Sequence, residues 1–259
     1  MKKKLKKAWA AIAAWLAAAI GCEEMIPAPR WDDCRRSSCW DANASRRMMN
    51  IVSPHFADEK ARDYLDWQKG RGCDHIHVLL VNGGDGEGAG YDALANPDHK
   101  RLAMKRIREA RKRGLGVVAW IVADDSETAR REIFRDPGLY ARSLADFHEC
   151  LSYIVLGLEM DEGRGTLADW TALRDAVVAA GWRGRIATHH TSGRRTYAGL
   201  GQIVMDQLTP NCSTAAIAES VGKLRRQGFD VCGFEYSRNP DRVKAEAALA
   251  AGAFGVGNW

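Results

Sequence analysis

Along the chain, short and nearly continuous apolar runs alternate with longer segments whose apolar positions recur every third or fourth residue. The short runs are Met48–Ser53, His75–Val81, Val117–Val122, Tyr153–Leu158, Arg185–His190, Gln202–Leu208, Asp230–Glu235 and Ala253–Trp259. Runs of this length without polar alternation read as strands buried on both faces. The segments between them predict helices over Ala57–Lys69, about 98–113 (closed by Gly114), a stretch running through Leu139 to Cys150, Leu167–Ala180, Thr214–Gln227 and Asp241–Ala251. Asn82–Tyr91 is a glycine-rich loop. Eight strands separated by helices or loops imply parallel βα units. The count favours a closed, single-domain (β/α)8 TIM barrel over residues 48–259 that lacks the last helix. A chain of 259 residues suits such a barrel, which commonly needs about 250.

The fourth run ends in carboxylates. Tyr153-Ile-Val-Leu-Gly-Leu-Glu-Met-Asp-Glu162 passes from an apolar strand directly into Glu159, Asp161 and Glu162. Acids at the end of a buried strand are costly unless paired or solvated, so they ask for a reason. Val231-Cys-Gly-Phe-Glu235 repeats the Gly-x-Glu arrangement. If both segments stay extended, each Glu points the same way as the Gly two residues before it, and the Gly leaves room beside the carboxylate. The expectation is a site with two facing acids, Glu159 and Glu235.

Charge changes the picture at one end only. The chain carries 38 Lys and Arg against 33 Asp and Glu, a formal charge of +5. Five of those lysines (Lys2, Lys3, Lys4, Lys6 and Lys7) lie in the first 21 residues, which contain no acid; the remainder balances at 33 against 33. A neutral folded part argues against nucleic acid as a partner. The lysines precede Ala8–Ile20, an apolar run too short to span a bilayer, and then Gly21-Cys22. Residues 1–21 therefore read as a secretory signal. Ala19-Ile-Gly-Cys22 resembles a bacterial lipobox, which implies lipidation at Cys22, export and a membrane anchor. Residues 22–47 then form a tether and N-terminal segment. Cys34 and Cys39 could close a small disulfide loop in an oxidising compartment. Cys73, Cys150, Cys212 and Cys232 fall at strand or helix positions, as buried thiols do.

In a barrel of this class, chemistry gathers where the strands end and the βα loops begin. Those ends supply Asn82, Asp85 and Glu87; Trp120, Asp124 and Asp125; Glu159, Asp161 and Glu162; His189 and His190; Asp206 and Gln207; Glu235 and Tyr236; Asn258 and Trp259. An acidic mouth with amides and tryptophans suits a sugar: carboxylates do the chemistry, amides bond hydroxyls and aromatic faces stack on pyranose rings. Glutamates ending strands four and seven, with a Trp ending strand eight, resemble the clan of retaining (β/α)8 glycoside hydrolases. The resemblance covers roughly residues 48–259. It implies Glu159 as general acid/base, Glu235 as nucleophile, Trp259 lining the first sugar subsite, a carbohydrate substrate and no cofactor. The clan usually has Asn directly before the strand-four Glu; this chain has Leu158.

Asn82, Asp85, Trp120, Asp161, His189, His190, Asp206, Tyr236 and Asn258 complete the expected substrate-binding set. Two other readings fit the same residues. One is a non-catalytic carbohydrate-binding barrel, which Leu158 favours. The other is a metal-dependent barrel enzyme with His189 or His190 joining Glu159, Asp161 and Asp206 as ligands. His75-x-His77 opens its strand and reads as structural. The cationic helix face of Lys100, Arg101, Lys105, Arg108, Arg111 and Lys112 reads as solvated, or as a surface for anionic lipid heads.

Overall fold

The computed structural model describes residues 37–38, 50–83, 90–123, 127–162, 165–191, 197–208, 212–234 and 242–257. Its strands are β1 (Ser37–Ser38), β2 (His75–Asn82), β3 (Tyr91–Asp92), β4 (Gly116–Val122), β5 (Tyr153–Val155), β6 (Arg185–His190), β7 (Ile203–Asp206), β8 (Asp230–Phe234) and β9 (Gly255–Gly257). They lie in the order β1-β9-β8-β7-β6-β5-β4-β2-β3. Every pairing is parallel except the last, where Tyr91 and Asp92 fold back on Asn82 and Val81. Eight parallel strands thus make a curled (β/α)8-type sheet. Helices α1 (Asp58–Gly70), α2 (Pro97–Lys112), α3 (Glu127–Arg135), α4 (Pro137–Ala145), α5 (Leu167–Ala179), α6 (Thr214–Arg226) and α7 (Arg242–Ala250) fill the connections. Among the described residues none follows β9.

Local chemistry explains where the helices start. Asn96 accepts from the amides of Asp98 and His99 ahead of Pro97, Thr166 and Asp169 form a reciprocal capping box, and Ser213 accepts from Ala216 N. The single helix expected through Leu139 to Cys150 is shorter and stands as α4, separate from α3. Pro137 cannot continue a preceding helix, and Asp136 caps the new one by accepting from Leu139 N at 3.0 Å.

The first strand also differs from expectation. Asn50–Ser53, the described part of Met48–Ser53, is a turn closed by Ser53 N donating to Asn50 O at 3.0 Å. The strand beside β9 is Ser37–Ser38, which the sequence places ahead of the barrel. Asn50 nevertheless engages the sheet: its Oδ1 accepts from Leu79 N at 3.1 Å and its Nδ2 donates to Leu79 O at 3.2 Å. A side-chain amide here substitutes for a backbone one. Fully buried Arg106 gathers the carbonyls of Ile51, Ser53 and Phe56, securing the segment from outside.

The barrel interior is packed solid. Alternate residues of each strand point inward, among them Leu79, Val118, Trp120, Tyr153, Val155, Ala187, Ile203, Met205, Cys232 and Phe234. Within this interior His77, Trp120, His189 and Phe234 pack ring against ring, with centroids 5.0–5.8 Å apart. β9 contributes glycine because nothing larger fits: a Cβ on Gly257 would lie 2.8 Å from the Phe234 ring.

Three of the six cations on this face of α2 pair with nearby acids, and a fourth, Arg111, is buried rather than solvated. Lys100 pairs with Asp146, Arg101 with Asp98, and Lys105 and Arg106 with Asp58. These pairings favour a solvated surface over one held open for lipid heads.

Candidate active site

β5 stops sooner than its apolar run suggests. Only Tyr153–Val155 pair in the sheet, and residues 158–162 form a turn. Glu159 sits in that turn at φ 46°, the sole non-glycine residue in left-handed conformation among the described residues. Such a backbone costs about 1–3 kcal/mol and persists only where its surroundings impose it. Several contacts do so here. Leu158 N donates to Val122 O at 3.0 Å, and Met160 N to His189 O at 3.1 Å. The Leu158 carbonyl accepts from the guanidinium of Arg130, a fully buried side chain whose Nε also reaches Ala123 O at 3.0 Å. Arg130 therefore ties the ends of β4 and β5 together. Glu159 N itself donates to Nδ1 of His189 at 2.8 Å.

The turn corrects the parity argument for this strand. Gly157 leaves no room beside the Glu159 carboxylate; it faces the helix layer, where a Cβ would come within 2.5 Å of the Trp170 ring on α5. Once the backbone leaves the extended form, alternation no longer predicts direction. The carboxylate instead meets β7: Gln207 Nε2 donates to Glu159 Oε1 at 3.3 Å.

His189 lies directly beneath. It is fully buried, and burial foremost, with the neighbouring His190 second, pushes its pKa down to about 3. An Nδ1 that accepts a backbone N–H is unprotonated, so the neutral ring carries its proton on Nε2. His77, also buried and shifted down to about 3 chiefly by burial, accepts from Trp120 Nε1 at 2.9 Å. That geometry fits the structural role expected for His75-x-His77. His75 lies at the opposite end of β2, bonded to Asp74 at 3.0 Å, with its ring against Gly116.

Three expected binding residues point elsewhere. Trp120 is wholly buried in the ring cluster and presents no open face to a sugar. His190 faces the helix layer, where its Nε2 accepts from Tyr197 N at 3.2 Å and its ring stacks on Tyr197. Asp206 likewise faces outward and accepts from Ser220 Oγ of α6 at 2.6 Å. Both have the outward parity of their strands, opposite to His189 and Met205. The metal set built on Glu159, Asp161, Asp206 and a histidine is thereby corrected, since His190 and Asp206 point away from Glu159 and the Nδ1 of His189 is engaged. Among the described residues no group of three or more His, Cys, Asp or Glu is arranged to hold a metal ion.

Asp161 stays at the mouth, half-buried, with Oδ1 accepting from Thr191 N at 2.9 Å and from Thr191 Oγ1 at 3.3 Å. Glu162 lies closer to the same hydroxyl and competes for its one proton. These two acids therefore brace the β5 and β6 ends. Asn82 is half-buried at the end of β2. Glu235, Tyr236, Asp85, Asn258, Trp259 and Cys22 lie outside the described residues; Glu235 directly follows Phe234, the last residue of β8.

Sequence reasoning assigned no role to Arg130 and none to Gln207 beyond its place at a strand end. Gln207 continues the inward alternation of Ile203 and Met205, a signal available in the sequence. An arginine three residues into a helix carries no comparable mark.

No family model matches the chain, and no curated protein matches it by sequence. Solved structures do. An endo-1,4-β-mannanase from Eisenia fetida superposes with a TM-score of 0.61 at 12% identity, covering 87% of this chain and 84% of that one. An exo-β-1,4-mannosidase from Opitutaceae bacterium strain TAV5 gives 0.61 at 14% identity, covering 92% of this chain and 54% of that one. A glycoside hydrolase family 5 protein from Bacteroides vulgatus gives 0.56 at 13% identity, covering 78% and 54% respectively. The chain thus spans about half the length of the last two. At such identities the likeness is one of fold: this chain has the (β/α)8 barrel on which glycoside hydrolases of this kind are built.

Proposed function

We propose that the protein is a glycoside hydrolase that cleaves O-glycosidic bonds of a poly- or oligosaccharide with net retention. Glu159 is the general acid/base and Glu235 the nucleophile. The observation that carries the reading is Glu159 itself, a carboxylate held in a strained left-handed turn at the C-terminal end of β5 by Arg130, His189 and Gln207. Strain maintained by buried polar groups supports a positioned side chain, and barrels of this class carry their chemistry at the C-terminal strand ends.

In the first step Glu159 gives its proton to the glycosidic oxygen while Glu235 attacks the anomeric carbon, releasing the leaving sugar and forming a glycosyl ester. In the second, Glu159 takes a proton from water, which displaces Glu235 and restores both groups. Asn82 and Asp161, with Asp85, Tyr236, Asn258 and Trp259, are the candidate sugar contacts. Hydrolysis of β-mannans, β-galactans and aryl glycosides, followed by reducing-end release, tests the reading. Glu159→Ala is expected to retain slow turnover only of substrates with good leaving groups, and Glu235→Ala to regain turnover with azide. Binding without turnover across the panel would favour the carbohydrate-binding barrel instead.

The leader reading adds export and lipidation at Cys22 as a second proposal, supported by the basic, short apolar start and Gly21-Cys22. A diacylated N-terminal Cys22 in the mass spectrum of protein from a bacterial host is expected. An unprocessed Met1 would contradict it.

A further inference from the structure

Glu159 is held at two points, its backbone N–H by His189 and its carboxylate by Gln207. The backbone N–H of Glu159 donates to His189 Nδ1 at 2.8 Å, which obliges the neutral imidazole to carry its proton on Nε2. His189 Nε2 and Gln207 Oε1 are both buried and neither closes a hydrogen bond, and the Gln207 side chain lies beside His189. Glu159 sets the sense of the Gln207 amide: an ionised carboxylate only accepts, so the NH2 lies at Glu159 Oε1, at 3.3 Å, and the amide oxygen is left for the Nε2–H of His189. A proton on Nδ1 would reverse each assignment, and the Glu159 N–H aimed at that atom excludes it.

We infer that Gln207, oriented by His189, is a positioning residue for the Glu159 carboxylate and sets the pH at which Glu159 gives up its proton. The amide donates only to an acceptor, so it favours the ionised carboxylate over the acid. The described groups around Glu159 are Gln207 from β7, neutral His189 from β6, the Arg130 guanidinium of α3 one carbonyl away, and Asp161 and Glu162 in its own turn, both engaged by Thr191. Gln207 brings a hydrogen bond directly to the Glu159 carboxyl oxygen, at 3.3 Å. The consequence for function rests on the acid/base reading of Glu159, but the titration itself does not.

The test is a carboxyl-carbon NMR titration of full-length protein labelled at Glu, with Glu159 assigned by Glu159→Gln. Gln207→Leu is expected to raise the pH of half-ionisation of Glu159 by about one unit, the effect of deleting one hydrogen bond to a carboxylate. Gln207→Met provides the same deletion if the leucine variant fails to fold. His189→Phe, which keeps a ring in place, is expected to shift Glu159 in the same direction. If the protein is active, the alkaline limb of kcat/KM moves up in step in the Gln207 variants. An unchanged Glu159 titration in both Gln207 variants would overturn the inference, whether or not the protein hydrolyses a glycan. An unchanged titration in His189→Phe would overturn the orienting role of His189. A shifted titration without any hydrolysis would uphold the inference and count against the glycosidase reading.

Discussion

Two neutral imidazoles buried in the barrel predict a particular sensitivity to mild acid. His77 and His189 are both held near a pKa of about 3, against an ordinary value of 6.5. The unfolded chain therefore binds two protons at pH 5 that the native chain refuses. Stability rises with pH wherever the unfolded state holds more protons, so this contribution is fully present above pH 6.5 and erodes as pH falls toward 3. At pH 5 each histidine lies about 1.5 pH units below its unfolded pKa, a cost of about 2 kcal/mol, or about 4 kcal/mol for the pair. Against a typical total of about 5–15 kcal/mol, that is a large share.

The ion-paired carboxylates do not confuse the window. Lys105 and Arg106 lower the pKa of Asp58, and Arg113 that of Asp66, both from an ordinary 3.8. Their stabilisation is present above the unfolded value and is lost only at lower pH. Urea unfolding at pH 7, 6, 5.5 and 5 should therefore show a steepening loss approaching about 2.7 kcal/mol per pH unit, the limit for two protons. His77→Phe should halve that slope. It should also cost about 1–3 kcal/mol at pH 7, because Trp120 Nε1 loses its acceptor in a dry site. A free energy that stays flat from pH 7 to 5, or a slope unchanged in His77→Phe, would refute the reasoning.

Arg130→Met leaves the Ala123 and Leu158 carbonyls without their buried donor and should cost about 3 kcal/mol or more in urea unfolding; activity should fall with kcat more than with KM, because the Glu159 turn loosens. Glu159→Gly should be more stable than Glu159→Ala by about 1 kcal/mol, since glycine adopts φ 46° without strain; equal thermal midpoints would show the turn to be relaxed.

Much of this architecture was legible in the sequence, for reasons that can be traced. Parallel strands buried on both faces appear as unbroken apolar runs, and helix starts carry their caps: Asn96-Pro97, Thr166 with Asp169, and Ser213. The apolar run at residues 153–158 misled because burial continues after pairing ends. Leu156 and Leu158 are buried though neither lies in β5, and the turn carrying Glu159 depends on Arg130 and His189, distant partners that leave no local signature. The directions of His190 and Asp206 were available from alternation within their own strands, where Thr188 and Val204 share the outward parity. Trp120 could not be placed from its strand alone, because its burial comes from His77, His189 and Phe234 on three other strands.

The central claim is that Glu159 and Glu235 act as a retaining pair, and it has a direct test. Proton NMR following the first minutes of hydrolysis of a β-linked substrate reports the anomer released before mutarotation. The account predicts that the β-anomer appears first and the α-anomer grows in afterwards. An α-anomer formed first would place a water between the two carboxylates and contradict the assignment of Glu235 as nucleophile.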